Sequence, residues 1–186
     1  MLYIFVKTVS RMVYLLPRPV KRGLGFFLGE VCWLIVPRRR RTMAVANIRR
    51  GLELPEDEAL VIAKRSVTRF GWTIMEVLGM AWLTRAKIDR EVKLIGVEHL
   101  KAALAYGRGA VIPTSHSGNW ELLGSVLALH GLPLVAIAQK QTNAAMDRFI
   151  NEYRTKAGMH VTYKTGLREM IRLLGGGKSI SILIDQ

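Results

Sequence analysis

From Glu91 onwards the chain alternates short apolar runs with longer stretches of helical periodicity, and this alternation constrains the fold more than any other feature. Val92 to Ile95, Ala110 to Pro113, Leu134 to Ala138, Val161 to Tyr163 and Ser179 to Ile184 have the length and composition of strands. Glu98 to Tyr106, Asn119 to His130, Ala144 to Ala157 and Leu167 to Leu174 carry apolar residues at helical spacing. Such an order predicts an α/β fold, a largely parallel sheet with crossover helices. Ser179 to Ile184 reads as a strand covered on both faces, and a sheet ending on it would leave an open edge that invites association. Gly175-Gly176-Gly177-Lys178-Ser179 is not a phosphate loop, because that motif needs a glycine where Arg172 stands and runs from strand to helix. Here a helix precedes and a strand follows, so the glycines end the helix.

The first half of the chain is a different physical object. Half of all residues are hydrophobic, yet the formal charge is +14. Residues 1 to 50 hold eleven Lys/Arg against Glu30 alone, a net of +10, which leaves +4 for the remainder. Apolar blocks (Leu2 to Val6, Met12 to Leu16, Leu24 to Val36) are broken by Lys7, Arg11, Arg18, Lys21, Arg22 and the run Arg38 to Arg41. A spanning helix needs about 20 apolar residues, whereas Leu24 to Pro37 is shorter and contains Glu30. Residues 1 to 41 are therefore expected to be an interfacial, membrane-associating helical segment or a marginal anchor, with 42 to 186 as a separate folded domain. Clustered arginines beside it would be drawn to anionic headgroups by about 1 kcal/mol each and mark the cytoplasmic side. The rival partner for so basic a chain, pI about 10.5, is nucleic acid. Interleaving of the cations with apolar sequence rather than with a polar recognition helix favours the membrane. No small-residue cleavage site follows an apolar region, so a signal peptide fits poorly.

Past the basic run, Leu54-Pro55-Glu56-Asp57-Glu58 supplies proline and acids at a helix start. Leu60, Val61, Val67, Phe70, Ile74, Val77 and Leu78 approximate one face of that helix, with Gly71 expected to interrupt it. Cys32 is the only cysteine, so no disulfide or thiolate metal site can form within the chain. A buried structural thiol in a reducing, cytoplasm-facing domain is expected there.

Chemistry concentrates in Thr114-Ser115-His116-Ser117-Gly118-Asn119-Trp120-Glu121, between an apolar strand and a helix. Open α/β sheets place ligands at the carboxyl ends of their strands. His116 has the one side chain suited to take and return a proton near neutrality, and Glu121, five residues on, would hold its ring in one tautomer. Position alone also permits a structural account: a glutamate in a first helical turn faces the positive end of the dipole, and a loop histidine can be a satisfied polar residue. Neither Ser115 nor Ser117 sits in a Gly-x-Ser-x-Gly elbow, and no His-Glu-x-x-His zinc signature occurs.

His116-Ser117-Gly118-Asn119-Trp120-Glu121 resembles the His-x4-Asp/Glu motif of the lysophospholipid acyltransferase superfamily, and its wording is closest to the lauroyl/myristoyl acyltransferases of bacterial lipid A biosynthesis. Other segments agree in order and spacing: Arg38 to Ala44 with Asn47-Ile48-Arg49, Phe70-Gly71 with Glu76, Asn143 to Gly158 with Asp147, Arg148 and Arg154, and Ile182 to Gln186. The resemblance implies a membrane-associated enzyme that moves a fatty acyl group from an acyl carrier protein thioester, or acyl-CoA, to a hydroxyl of a lipid A precursor on the cytoplasmic side of a bacterial inner membrane. Catalysis is then expected from His116 and Glu121. Substrate contacts are expected from Asn119, which also stands where it would cap the helix, from Arg148 and Arg154 as forked donors for phosphates, and from Asp185 beside His116. No metal and no redox or nucleotide cofactor is implied. Members of that family continue past Gln186, so the sheet and the acceptor pocket are expected to be incomplete. A glycerophospholipid, glycolipid or ornithine lipid acceptor stays open, as does a non-catalytic membrane-binding module.

Overall fold

The computed structural model describes residues 1–163 and 166–185. Nine helices lie among them: α1 (Leu2–Leu15), α2 (Arg18–Ile35), α3 (Arg38–Leu52), α4 (Glu56–Gly79), α5 (Arg85–Glu91), α6 (Val97–Ala105), α7 (Trp120–Leu129), α8 (Ala144–Lys156) and α9 (Leu167–Gly175). A 3₁₀ turn, Met80–Trp82, follows α4. The strands are β1 (Ala110–Thr114), β2 (Leu134–Ala138), β3 (His160–Tyr163) and β4 (Ser179–Leu183). The chain divides into two compact units, one of residues 1–14 with 79–186, the other of residues 15–78.

The first unit is built on the expected parallel sheet, in the order β1-β4-β2-β3. α7, α8 and α9 carry the chain between successive strands. A core of Leu127, Ala128, Leu132, Leu134, Ala157 and Met159 fills one side, with Leu100 and Leu104 of α6 packed against it. Val92 to Ile95 forms no strand and pairs with none among the described residues, so the apolar run there serves packing, through Leu94, rather than a ladder. β4 is not the edge that the sequence predicts; it lies between β1 and β2, because α9 returns the chain across β2. Only its first half is covered on both faces: Ser179 and Ile180 are buried, whereas Ile182 is 37% exposed. β1 takes an edge position instead, where Pro113, which has no N–H to give to a ladder, is tolerated.

α1 is secured to this unit by polar contacts rather than by its apolar residues. Trp82 Nε1 donates to the buried Ser10 hydroxyl at 2.9 Å. Lys7 and Tyr3 both donate to Glu152 of α8, and the Lys7 and Arg11 cations stand 5.3 and 4.6 Å from the centre of the Trp82 ring. The breaks between the compact units fall after Tyr14 and after Leu78, because the first helix shares a charge cluster with α8.

The second unit holds α2, α3 and most of α4. α4 runs through Gly71 without a break, contrary to the interruption expected there. The residue is a glycine because α2 crosses at that point: a Cβ on Gly71 would lie 2.2 Å from the Gly25 carbonyl oxygen and 2.5 Å from the Gly29 nitrogen. Small residues at the crossing let the two backbones touch, so the buried face of α4 is Ala59, Ala63, Gly71 and Met75, at four-residue spacing. Leu60, Val61 and Phe70, expected on the buried face, are exposed. Cys32 is half-buried rather than enclosed. No described helix is long and apolar enough to cross a membrane.

Candidate active site

Parallel pairing of β1 with β4 sets the site. Thr114 stands opposite Leu183, and Ile184 N donates to the Thr114 carbonyl at 3.0 Å, so both chains leave the sheet side by side. Two residues further on each, His116 and Asp185 meet. One Asp185 oxygen accepts from the His116 backbone amide at 2.8 Å and the other lies 2.8 Å from His116 Nδ1. An ionised carboxylate can only accept, so the Nδ1 position carries the proton, and in the neutral imidazole the lone pair belongs to Nε2. The hydrogen bond from the imidazole, followed by that from the His116 amide, holds the Asp185 carboxyl below the ordinary carboxylate range. The Trp120 ring packs edge-on against the imidazole, 5.1 Å between centroids at 69°. Gly118, at φ 59°, lets the loop turn into α7, where Asn119 Oδ1 caps the helix by accepting from Leu122 N at 2.9 Å.

Glu121 does not hold the imidazole, which corrects the expected pairing. The glutamate faces α8, where Arg154 grips it with a fork, Nε to Oε2 at 3.0 Å and a second, shorter contact from Nη2 to Oε1. The Tyr153 hydroxyl donates to Oε2 at 2.9 Å. Both ion-pair side chains are only 15% exposed. Burial alone would lower the Arg154 pKa, but the Glu121 carboxylate outweighs it and the pKa is raised. Burial, reinforced by the Glu121 charge, pushes the Tyr153 hydroxyl far up, so it acts as a neutral donor. The reason for the altered pairing is directional: Glu121 lies on the first turn of α7 facing α8, whereas the imidazole is fixed by a strand end that sequence places 69 residues away.

A cavity of about 480 Å³ opens beside His116. Glu121 and Arg154 form part of its wall, and Gly124, Ala136, Leu134 and Met159 give it an apolar depth. Of the residues expected to contact substrate, Arg154 lines this cavity and Asp185 adjoins it through His116. Asn119 serves as the helix cap. Arg148 does not join them: six residues before Arg154, it points about 240° round the helix and stacks over the Tyr3 ring at 4.1 Å. Gln186 lies outside the described residues. Sequence reading missed Trp120 and Tyr153; Tyr153 had a signal in its spacing from Phe149, which places both on the buried face of α8.

Over its whole length, residues 1–186, the chain matches the family described as bacterial lipid A biosynthesis acyltransferase. The chain belongs to that family. Among curated relatives, it is 28% identical over 172 residues to a lipid A biosynthesis acyltransferase of Haemophilus influenzae, covering 89% of this chain and 53% of the relative. It is 26% identical over 175 residues to a lipid A biosynthesis lauroyltransferase of Escherichia coli, covering 91% and 55%. To a phosphatidylinositol mannoside acyltransferase of Mycolicibacterium smegmatis it is 27% identical over 127 residues, covering 68% and 40%. The chain therefore spans about half or less of the length of these acyltransferases. The family is the one that the resemblance carried by His116 to Glu121 implies.

Proposed function

We propose that this protein transfers a fatty acyl group from an acyl carrier protein thioester to a hydroxyl of a lipid A precursor at the cytoplasmic face of a bacterial inner membrane. The observation that carries the reading is the His116–Asp185 pair at the mouth of the cavity. His116 Nε2 takes the proton of the acceptor hydroxyl as its oxygen attacks the thioester carbonyl. Asp185 holds the ring and balances the imidazolium charge. The tetrahedral intermediate collapses with cleavage of the carbon–sulfur bond, and the imidazolium returns its proton to the departing thiolate. Amides of the first turn of α7 are suited to the developing oxyanion. Arg154, fixed by Glu121, keeps guanidinium donors for a phosphate or carbonyl in the cavity. The chemistry asks for no redox group or metal.

A second acceptor reading, a phosphatidylinositol mannoside or related glycolipid, is favoured by the relatives that bear that name. Attachment to the membrane is assigned to residues 1 to 41, where Ile4, Phe5, Met12, Phe27, Leu34 and Ile35 are exposed. The deciding experiment incubates the purified protein with acyl carrier protein and coenzyme A thioesters and with lipid A precursor, phosphatidylinositol mannoside or lysophospholipid, reading products by mass spectrometry. Acylation of the lipid A precursor, lost in His116→Ala, is expected. Undiminished turnover in His116→Ala removes the catalytic assignment, and no product with any acceptor leaves the non-catalytic membrane module.

A further inference from the structure

α3 starts with the wrong charge for a helix. The positive end of a helix dipole favours acids, and α4 obeys, with Glu56, Asp57 and Glu58 in its first turn. α3 instead opens on Arg38, Arg39, Arg40 and Arg41, has no acid in its first turn, and follows Pro37, which gives no side-chain cap. Four like charges at the positive end repel one another and the dipole. An anion at that position would relieve both terms.

A pocket of about 290 Å³ runs from this end along one side of α3, with Arg38 and Arg41 at the helix start, Val45 and Ala46 further along, and Arg49 and Glu56 beyond them. Arg49 already pairs with Glu56 at 3.2 Å, on side chains 51% and 75% exposed. Among the described residues no carboxylate lies within ion-pair distance of Arg38 or Arg41. Arg41 is held in place by stacking over the Trp33 ring at 5.4 Å, and its Nε is buried without a hydrogen-bond partner. A held guanidinium with an unpartnered donor, beside a second arginine, is a donor set that phosphate oxygens accept.

The neighbouring sequence indicates what bears the phosphate. Leu34 and Ile35 end α2, with only Val36 before Pro37, and are 74% and 72% exposed, and Leu24 and Phe27 are exposed on the same helix. A nucleic-acid backbone offers nothing for that apolar surface to meet, whereas a lipid offers acyl chains. We propose that the Arg38/Arg41 pocket at the start of α3 binds the phosphate of an anionic phospholipid, with Leu34 and Ile35 against its chains. The inference rests on the membrane attachment assigned above and is independent of acyl transfer.

Flotation of the protein with vesicles of phosphatidylcholine alone, and of phosphatidylcholine mixed with phosphatidylglycerol, tests it through variants that remove the same charge from different places. Arg38→Gln, Arg41→Gln and the pair are compared with Arg39→Gln and Arg40→Gln, whose side chains do not line the pocket. Loss of one surface arginine lowers binding to anionic vesicles by roughly fivefold; the pocket variants are expected to lose about tenfold or more each. Arg38→Gln, on an exposed side chain, keeps the test valid if Arg41→Gln unfolds, which a thermal melt reports. Equal losses at all four positions overturn the pocket. So does protection of the melting temperature by inorganic phosphate without any preference for anionic vesicles, or displacement of vesicles by an RNA oligonucleotide that depends on Arg38. Failure of the wild-type chain to float with any vesicle instead removes the membrane reading itself, and His116→Ala leaves every arm unchanged.

Discussion

Asp185 accepts two hydrogen bonds from a single residue, the backbone amide and the imidazole Nδ1 of His116, both at 2.8 Å. The double contact fixes the loop and the ring together: rotation of the imidazole would break one bond, and retreat of the loop would break both. In the neutral ring Nε2 is thereby held in place as the proton acceptor, which a general base requires before its pKa matters.

Asp185→Asn is expected to keep the fold and lower acyl transfer by about 10²-fold or more, since a carboxamide neither selects the Nδ1–H tautomer nor stabilises the imidazolium. His116→Ala should cost at least as much, and the double variant no more than His116→Ala alone, because the two act as a unit. The folded carboxyl titrates below its ordinary range, so the pair's contribution to stability is complete above about pH 4 and is lost as pH falls through the lower, folded value. Steady-state kinetics of the four proteins, with acid titration of Trp120 fluorescence, would expose a lack of coupling.

Glu121→Ala should destabilise the sheet-bearing unit by about 3 kcal/mol, because it strands a buried Arg154, whereas Glu121→Gln, which still accepts from Tyr153, should be milder. Denaturant melts separate this from a direct catalytic role. If Glu121→Ala melts like the wild type yet is inactive, the structural assignment of Glu121 fails.

Gly71→Ala reverses the usual sign. In an ordinary helix interior the change gains up to about 1 kcal/mol; here the added carbon would stand 2.2 Å from the Gly25 carbonyl oxygen. Separating two backbones costs about 1–3 kcal/mol or more. Exposed Gly51 of α3, where a Cβ meets nothing within 4 Å, is the control, and Gly51→Ala should be neutral or stabilising. Equal melting of the two variants would deny the close crossing.

Glu152 titrates at about 2: burial raises its pKa, but hydrogen bonds from Lys7, then Tyr3 and Lys156, overcome that effect. Because the folded value is depressed, the clamp on α1 is fully formed above about pH 4.5 and weakens as the solution is acidified towards pH 2. Limited proteolysis between α1 and α2 should therefore accelerate over that interval. In Glu152→Gln the acid-dependent step should vanish; its persistence would place the titrating group elsewhere.

Periodicity and turn chemistry are local, so the sequence alone determined the parallel α/β class, eight of the helices and strands within a residue or two, the helix-capping position of Asn119 and the motif that marks the family. Asp185 was also expected beside the histidine. Three matters were decided only in three dimensions. The partner of His116 is a carboxylate 69 residues away rather than the one five residues on, because strand pairing, not sequence spacing, sets that contact. Glu121 and Arg154 found each other across two helices, which no period within either helix encodes. Gly71 reads as a helix breaker until a second backbone is brought against it; the sequence records that a residue is small, and only the crossing of α2 supplies the reason.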